Sequence, residues 1–124
     1  MLNRWKSVYD ALDAAGIDVF PPGAHEGICA APYCVVRCAG GALMDSGGGY
    51  ARYIVHLYAP LDRPDDVETL AERVRTALAP LERSGLLTLA QPRGATLIDD
   101  QFAACASYIE YASYYREHQG DSPV

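Results

Sequence analysis

At 124 residues, half of them hydrophobic, the chain fits one domain large enough to bury a substantial core. A formal net charge of −6 excludes duplex DNA binding driven by counterion release, although like charge would let DNA slide through a passage that the protein lined. No apolar run reaches the roughly 18 residues of a membrane helix, the start Met1-Leu2-Asn3-Arg4-Trp5-Lys6 does not read as a secretory signal, and four cysteines in apolar surroundings fit reduced thiols in a cytosolic protein.

Asn3 is a candidate cap for a first helix, whose apolar stripe is Trp5, Val8, Tyr9, Leu12 and Ala15, with Gly16 at the left-handed C-terminal position. Ile17 to Phe20 reads as a short strand, ended by Pro21-Pro22-Gly23 because proline cannot continue a ladder. Ala24 to Ala31 reads as a loop. Tyr33 to Ala39 is the second strand, with Cys34, Val36 and Cys38 on the core-facing side. Gly40 to Gly49 is glycine-rich enough to be expected as a mobile hairpin connection that orders on assembly.

Tyr50 to Ala59 is the clearest strand. Ala51, Tyr53, Val55 and Leu57 suit a core face. The opposite face, Tyr50, Arg52, Ile54, His56 and Tyr58, is too aromatic for an ordinary solvated surface and too polar for a buried one. Interfaces favour Tyr and Arg because both combine large contact area with a polar end. These five residues, with Leu43 and Met44 of the glycine-rich segment, are the candidate subunit or partner interface.

A second helix opens at Asp62 or Asp65 with Pro64, buries Val67, Leu70, Ala71, Val74, Ala77, Leu78 and Leu81, and is bent or ended by Pro80. Leu86 to Ala90 reads as a strand, Gln91 to Gly94 as a turn, and Ala95 to Asp100 as a loop or short extension. In Gln101 to Tyr115 the Cys105-Ser107-Ile109-Tyr111 alternation favours a strand over the helix that the alanines would allow. The expected fold is therefore one α+β domain over residues 1–116, in the order α-β-β-β-α-β-β. Its mostly antiparallel sheet has four to five strands and carries both helices on one face. Residues 117–124 read as a disordered polar tail.

Reactive chemistry is not legible. His25, Cys29, Cys34 and Cys38 have no C-x2-C pair, and Cys34 and Cys38 stand roughly 13 Å apart along one strand, too far for one zinc ion. No histidine (His25, His56 or His118) is placed beside a cysteine as a base. Asp65-Asp66 fits a helix start and Asp99-Asp100 a solvated loop. Gly47-Gly48-Gly49 lacks the Lys-Ser/Thr and following helix of a phosphate loop. The tyrosines lack the interleaved basic residues of a nucleic-acid stacking surface. No enzyme activity, cofactor or metal is expected.

The ordered set Val8-Tyr9-Asp10-Ala11-Leu12, Gly16-Ile17-Asp18-Val19, Phe20-Pro21-Pro22-Gly23, Cys29, Ala31-Pro32-Tyr33-Cys34-Val35-Val36, Leu57-Tyr58-Ala59-Pro60, Asp99-Asp100 and Ile109-Glu110-Tyr111 resembles the small tail-terminator or head-to-tail joining proteins of tailed phages and prophages, also called minor capsid or tail completion proteins. The resemblance spans nearly the whole chain; the apolar Leu43 and Met44 and the segment after Arg116 depart from it. It implies a structural virion protein with an α/β sandwich-like fold, made in the bacterial cytoplasm and placed at the neck or tail. The implied assembly is a homo-oligomeric ring, commonly a hexamer, contacting the tail tube and neck or connector proteins. DNA would pass through the ring, without sequence recognition and without a membrane. The alternative class is a small ligand-binding or regulatory α+β domain that dimerises through its sheet.

Overall fold

Helical spacing, strand alternation and glycine placement translate into two helices and six strands in the computed structural model, which describes residues 4–25, 27–43 and 48–116. The Asn3 cap, Met44 and the 117–124 tail lie outside the described residues. Helix α1 (Trp5–Ala14) buries Val8 and Leu12; Arg4 occupies its N-cap without a side-chain cap. Gly16, at φ +79°, turns the chain out of the helix. The Ile17 amide then donates back to the Leu12 carbonyl. Strand β1 is Val19–Phe20, β2 Tyr33–Leu43 and β3 Gly48–Pro60. Helix α2 (Asp66–Arg83) buries Val67, Leu70, Ala71, Val74 and Leu78. It continues past Pro80 for another turn, rather than stopping there, because a proline near a helix end interrupts few bonds. Strands β4 (Thr88–Gln91), β5 (Leu97–Asp99) and β6 (Ala104–Arg116) complete the chain.

The sheet runs β1-β2-β3-β6-β4, with β5 also paired to β6. The sheet is mostly antiparallel, as expected, but has six strands instead of four to five, includes one parallel pair, and its order gains a strand after α2. Two short elements account for the difference. β1 lies parallel to β2 (Val19↔Cys34, Phe20↔Val35), since the intervening segment carries the chain back before β2 begins. β5 is only three residues long, below the length at which alternation can announce a strand. Of the predicted Gly40–Gly49 connection, the described residues are strand, with Gly41↔Ala51, Ala42↔Tyr50 and Leu43↔Gly49 paired, and residues 44–47 lie outside the described residues. A bulge between Cys38 and Gly41, with Gly40 at φ +91°, absorbs the register shift.

Both helices pack on one face of the sheet, as the sequence pattern requires. Val8, Leu12, Val67, Val74 and Leu78 meet Cys34, Val36, Tyr53, Val55, Leu57, Ile109 and Tyr111 in one buried cluster. Polar contacts fix α1 on it: Trp5 Nε1 donates to the Val36 carbonyl (2.8 Å), Tyr9 Oη to the Val19 carbonyl (3.1 Å), and the Arg4 amide to Tyr53 Oη (2.8 Å). One row crosses the whole sheet on this face, Cys38–Tyr53–Tyr111–Leu89. Its inner members are fully buried, whereas Cys38 at the edge is exposed, contrary to the core position expected from alternation. Alternation assigns a side, but burial on that side also requires a helix overhead.

Between β4 and β5 the chain leaves the ladder, and side chains take over. The Gly94 amide donates to the Tyr108 carbonyl (2.8 Å). The buried Ser107 hydroxyl donates to the Gly94 carbonyl and accepts from Arg93 Nε, both at 2.9 Å. Arg93 also reaches Thr96 Oγ1 (3.0 Å) and Glu68 of α2. One guanidinium therefore ties the turn to the sheet and to the helix above it.

Candidate functional site

The helix-free face of the sheet is built from the alternate residues of three long strands. β3 contributes Tyr50, Arg52, Ile54, His56 and Tyr58; β2 contributes Tyr33, Val35 and Arg37; β6 contributes Tyr108, Glu110, Ala112 and Tyr114. Arg52 forks onto Glu110 across the β3–β6 ladder, with Nε–Oε2 at 2.8 Å and Nη2–Oε1 at 3.1 Å. These hydrogen bonds hold the Glu110 carboxyl below the usual carboxylate range and Arg52 above its ordinary value. Arg37 Nε donates to His56 Nε2 at 3.3 Å, which requires that nitrogen to be unprotonated. Burial, reinforced by the Arg37 charge, lowers the His56 pKa.

Toward one end of this face the surface becomes a stacked aromatic cluster. Tyr58 stacks on Tyr33 (ring centroids 4.8 Å) and His25 on Tyr33 (3.8 Å), while Phe20 and Phe102 approach edge-on. Burial pushes the Tyr33 and Tyr58 hydroxyls up from their ordinary values. Cys29 and Ala104 are buried beneath the cluster, and the Cys29 amide donates to the Phe102 carbonyl (2.7 Å). Toward the other end, Tyr50 and Tyr114 lie 5.9 Å apart, with Tyr114 exposed.

The sequence-predicted interface is therefore gathered on one face but is not uniform. Tyr50, Arg52, His56 and Tyr58 are half-buried, and Ile54 is 8% exposed. Ile54 is consequently a structural member of the face and half-buried Tyr58 is stacked on Tyr33, whereas Tyr50, Arg52 and His56 are partly accessible and Tyr114 is exposed. Leu43 closes β2 opposite Gly49, and Met44 lies outside the described residues. Arg37, Tyr108, Glu110 and Tyr114 were not among the interface residues expected from sequence, although Tyr108 and Tyr114 were weighed there as stacking residues. Extending the Ser107-Ile109-Tyr111 alternation by one position gives the three β6 members directly.

Because the unfolded chain binds a proton at His56 more readily than the folded one, folding loses stability as pH falls through the unfolded value near 6.5. The loss ends below the depressed folded value. Urea unfolding at pH 7.5 and 5.5 should show a smaller pH penalty for His56→Gln than for the parent chain; an equal penalty in both would remove His56 as its source.

Elsewhere the chemistry is structural. Cys29, Cys34 and Cys105 are buried free thiols, and burial pushes Cys34 up to about 12 and Cys29 upward, which keeps both protonated and unreactive at neutral pH. Among the described residues, no three His, Cys, Asp or Glu side chains converge as a metal site would need. No helix is long and apolar enough to cross a membrane, again among the described residues. Asp99 accepts from the Gln101 and Phe102 amides (3.0 and 3.3 Å) and so caps the turn into β6, and Asp66 pairs with Arg63. An open groove of about 450 Å³ runs between α2 and the β4–β5 turn, lined by Glu68, Ala71, Glu72, Arg75, Thr76, Pro92 and Arg93. Compared with known proteins, the chain matches no family model and no curated sequence.

Proposed function

We propose that this chain is a structural virion protein of a tailed phage or prophage. It forms a ring at the tail terminus or head–tail junction, caps the tail tube and joins it to the neck, as the sequence resemblance implies. The observation that carries the reading is the helix-free sheet face. An α+β domain of this size would ordinarily leave such a face to charged, solvated side chains. Here it holds Tyr50, Arg52, His56, Tyr108 and Tyr114, a composition suited to a protein partner. The assembly is a homo-oligomer, expected to be hexameric, with DNA passing through the ring; the face contacts the tube or neck.

The reading is tested by the gene's neighbourhood and by co-purification. A tail-tube gene should lie beside it, and its product should bind the ring. Tyr50→Glu combined with Tyr114→Glu should leave the circular dichroism spectrum unchanged and weaken tube binding at least tenfold, since interfacial aromatic anchors are each worth about 2 kcal/mol or more. Undiminished tube binding would overturn the assignment of this face, and a locus without virion genes would overturn the function. A second reading, a ligand-binding domain that dimerises through its sheet, is favoured by the groove beside α2. It requires a stoichiometric small molecule in native mass spectra and a dimer in light scattering.

A further inference from the structure

Two sheet edges remain open among the described residues, and they lie at the same height. On β2, the outward-facing peptide groups are occupied in turn: the Cys34 amide donates to Asp18 of the segment entering β1, and the Val36 carbonyl accepts from Trp5. Alternate residues of a strand present their peptide groups to the same side, so those of Cys38 face outward next. No described strand pairs there. At the far side of the sheet, β4 pairs only with β6. The row Cys38–Tyr53–Tyr111–Leu89 joins these two edges at one level. The next row, Arg37–Ile54–Glu110–Gln91, does the same on the opposite face.

Strand polarity completes the match. Three successive antiparallel pairings make β4 run opposite to β2. Copies that keep one up–down sense, as they do around a ring, therefore bring β4 of one copy antiparallel to β2 of the next. Chemistry agrees with the register: Arg37 would meet the Gln91 amide of the next copy, with Glu110 one strand behind it. The contact uses two different patches, so it repeats head to tail and closes when the rotation permits.

We infer that copies of this chain join edge to edge, the Arg37–Cys38 edge of β2 pairing antiparallel with Thr88–Gln91 of the next copy, so that one sheet continues around the ring. This rests on the ring reading above and adds the contact that closes it. The helices then occupy one wall of the ring and the aromatic face the other.

Native Cys38 supplies the test, because it is the exposed cysteine and the other three are buried. The full chain carrying Leu89→Cys, and separately Thr88→Cys, is oxidised mildly and run on non-reducing gels. Leu89→Cys should convert most of the protein into a ladder extending beyond dimer, which Cys38→Ser abolishes. Thr88→Cys, on the opposite face, should give less than a tenth of that yield. Should the half-buried Leu89 site fold poorly, Gln91→Cys combined with Arg37→Cys in a Cys38→Ser background probes the same contact from the opposite face. Ladders confined to dimer would overturn head-to-tail pairing in favour of a two-fold contact. Rings in negative-stain images without cross-links at any position would overturn the edge contact and leave the ring reading standing. A monomer under light scattering, with no cross-links, would overturn both.

Discussion

Replacing Gly41 with alanine lowers the unfolding free energy by about 3 kcal/mol, at the upper end of the cost of overpacking a closed site, and lowers Tm by roughly 10 °C. A Cβ at this position would stand 2.0 Å from the Tyr50 carbonyl oxygen and 2.9 Å from the Ala51 Cα. Both obstacles are backbone, held in ladders on two sides because β3 lies between β2 and β6. The strand cannot yield without breaking pairs at Gly41↔Ala51 and Ala42↔Tyr50. Gly40 next to it makes the comparison informative. Its φ of +91° disfavours a side chain, but nothing lies within 4 Å of the added carbon. Gly40→Ala should therefore cost only about 1–2 kcal/mol, the price of a left-handed backbone. Urea titrations of the two variants check the order. Equal losses would mean that β2 shifts freely at the bulge, and amide exchange across Tyr50–Tyr53 should speed up for Gly41→Ala first.

Arg93→Ala should cost about 2 kcal/mol, the range for hydrogen bonds that involve a charged group. Most of that loss should come from the buried Ser107 partner, not from Glu68, whose side chain is 68% exposed and whose ion pair is screened by solvent. Double-mutant cycles separate the two: coupling of Arg93 to Ser107 should exceed coupling to Glu68. Arg93→Lys should recover less than half, because one ammonium cannot reproduce the geometry that serves Ser107, Thr96 and Glu68 together. A full rescue by lysine would show that charge alone holds the β4–β5 turn in place.

How much of this was legible in the sequence follows from how many residues each element needs to declare itself. The stripe of Val67, Leu70, Val74 and Leu78 and the alternation through Tyr50–Ala59 each repeat several times, so α2 and β3 are readable, and so is the side on which each residue lies. Assignment of β6 as a strand rested on the same repetition. Phe20 and Ile98 belong to strands of two and three residues, where no period can be established. β1 was read as a short strand, but its parallel pairing was not legible, and β5 fell within a segment read as a loop or short extension. Cys38 shows a different limit, since its side was right and its burial wrong; coverage by α1 and α2 is a tertiary fact. The candidate surface was half legible. β3 named its own members, whereas Arg37, Glu110 and Tyr114 join them only through cross-strand register, which a single chain segment does not encode. At the start of the glycine-rich segment glycine was read as freedom, while Gly41 serves close approach and Gly40 a bulge.

The middle position of β3 has a consequence for the order of events during synthesis. Its first neighbour, β2, precedes it immediately and can pair as soon as both have left the ribosome. Its second neighbour pairs Pro60 with Ala104 and Gly48 with Arg116, contacts that close from about a third to over half of the chain. Until β6 emerges, one side of a 13-residue apolar strand stays unpaired, and α2 has only part of its floor. Such long-range closure slows folding and leaves a sticky template exposed in the nascent chain. The yield of native protein is therefore governed by the last strand made, and translation pauses before Ala104 would act on solubility more than on the stability of the finished fold.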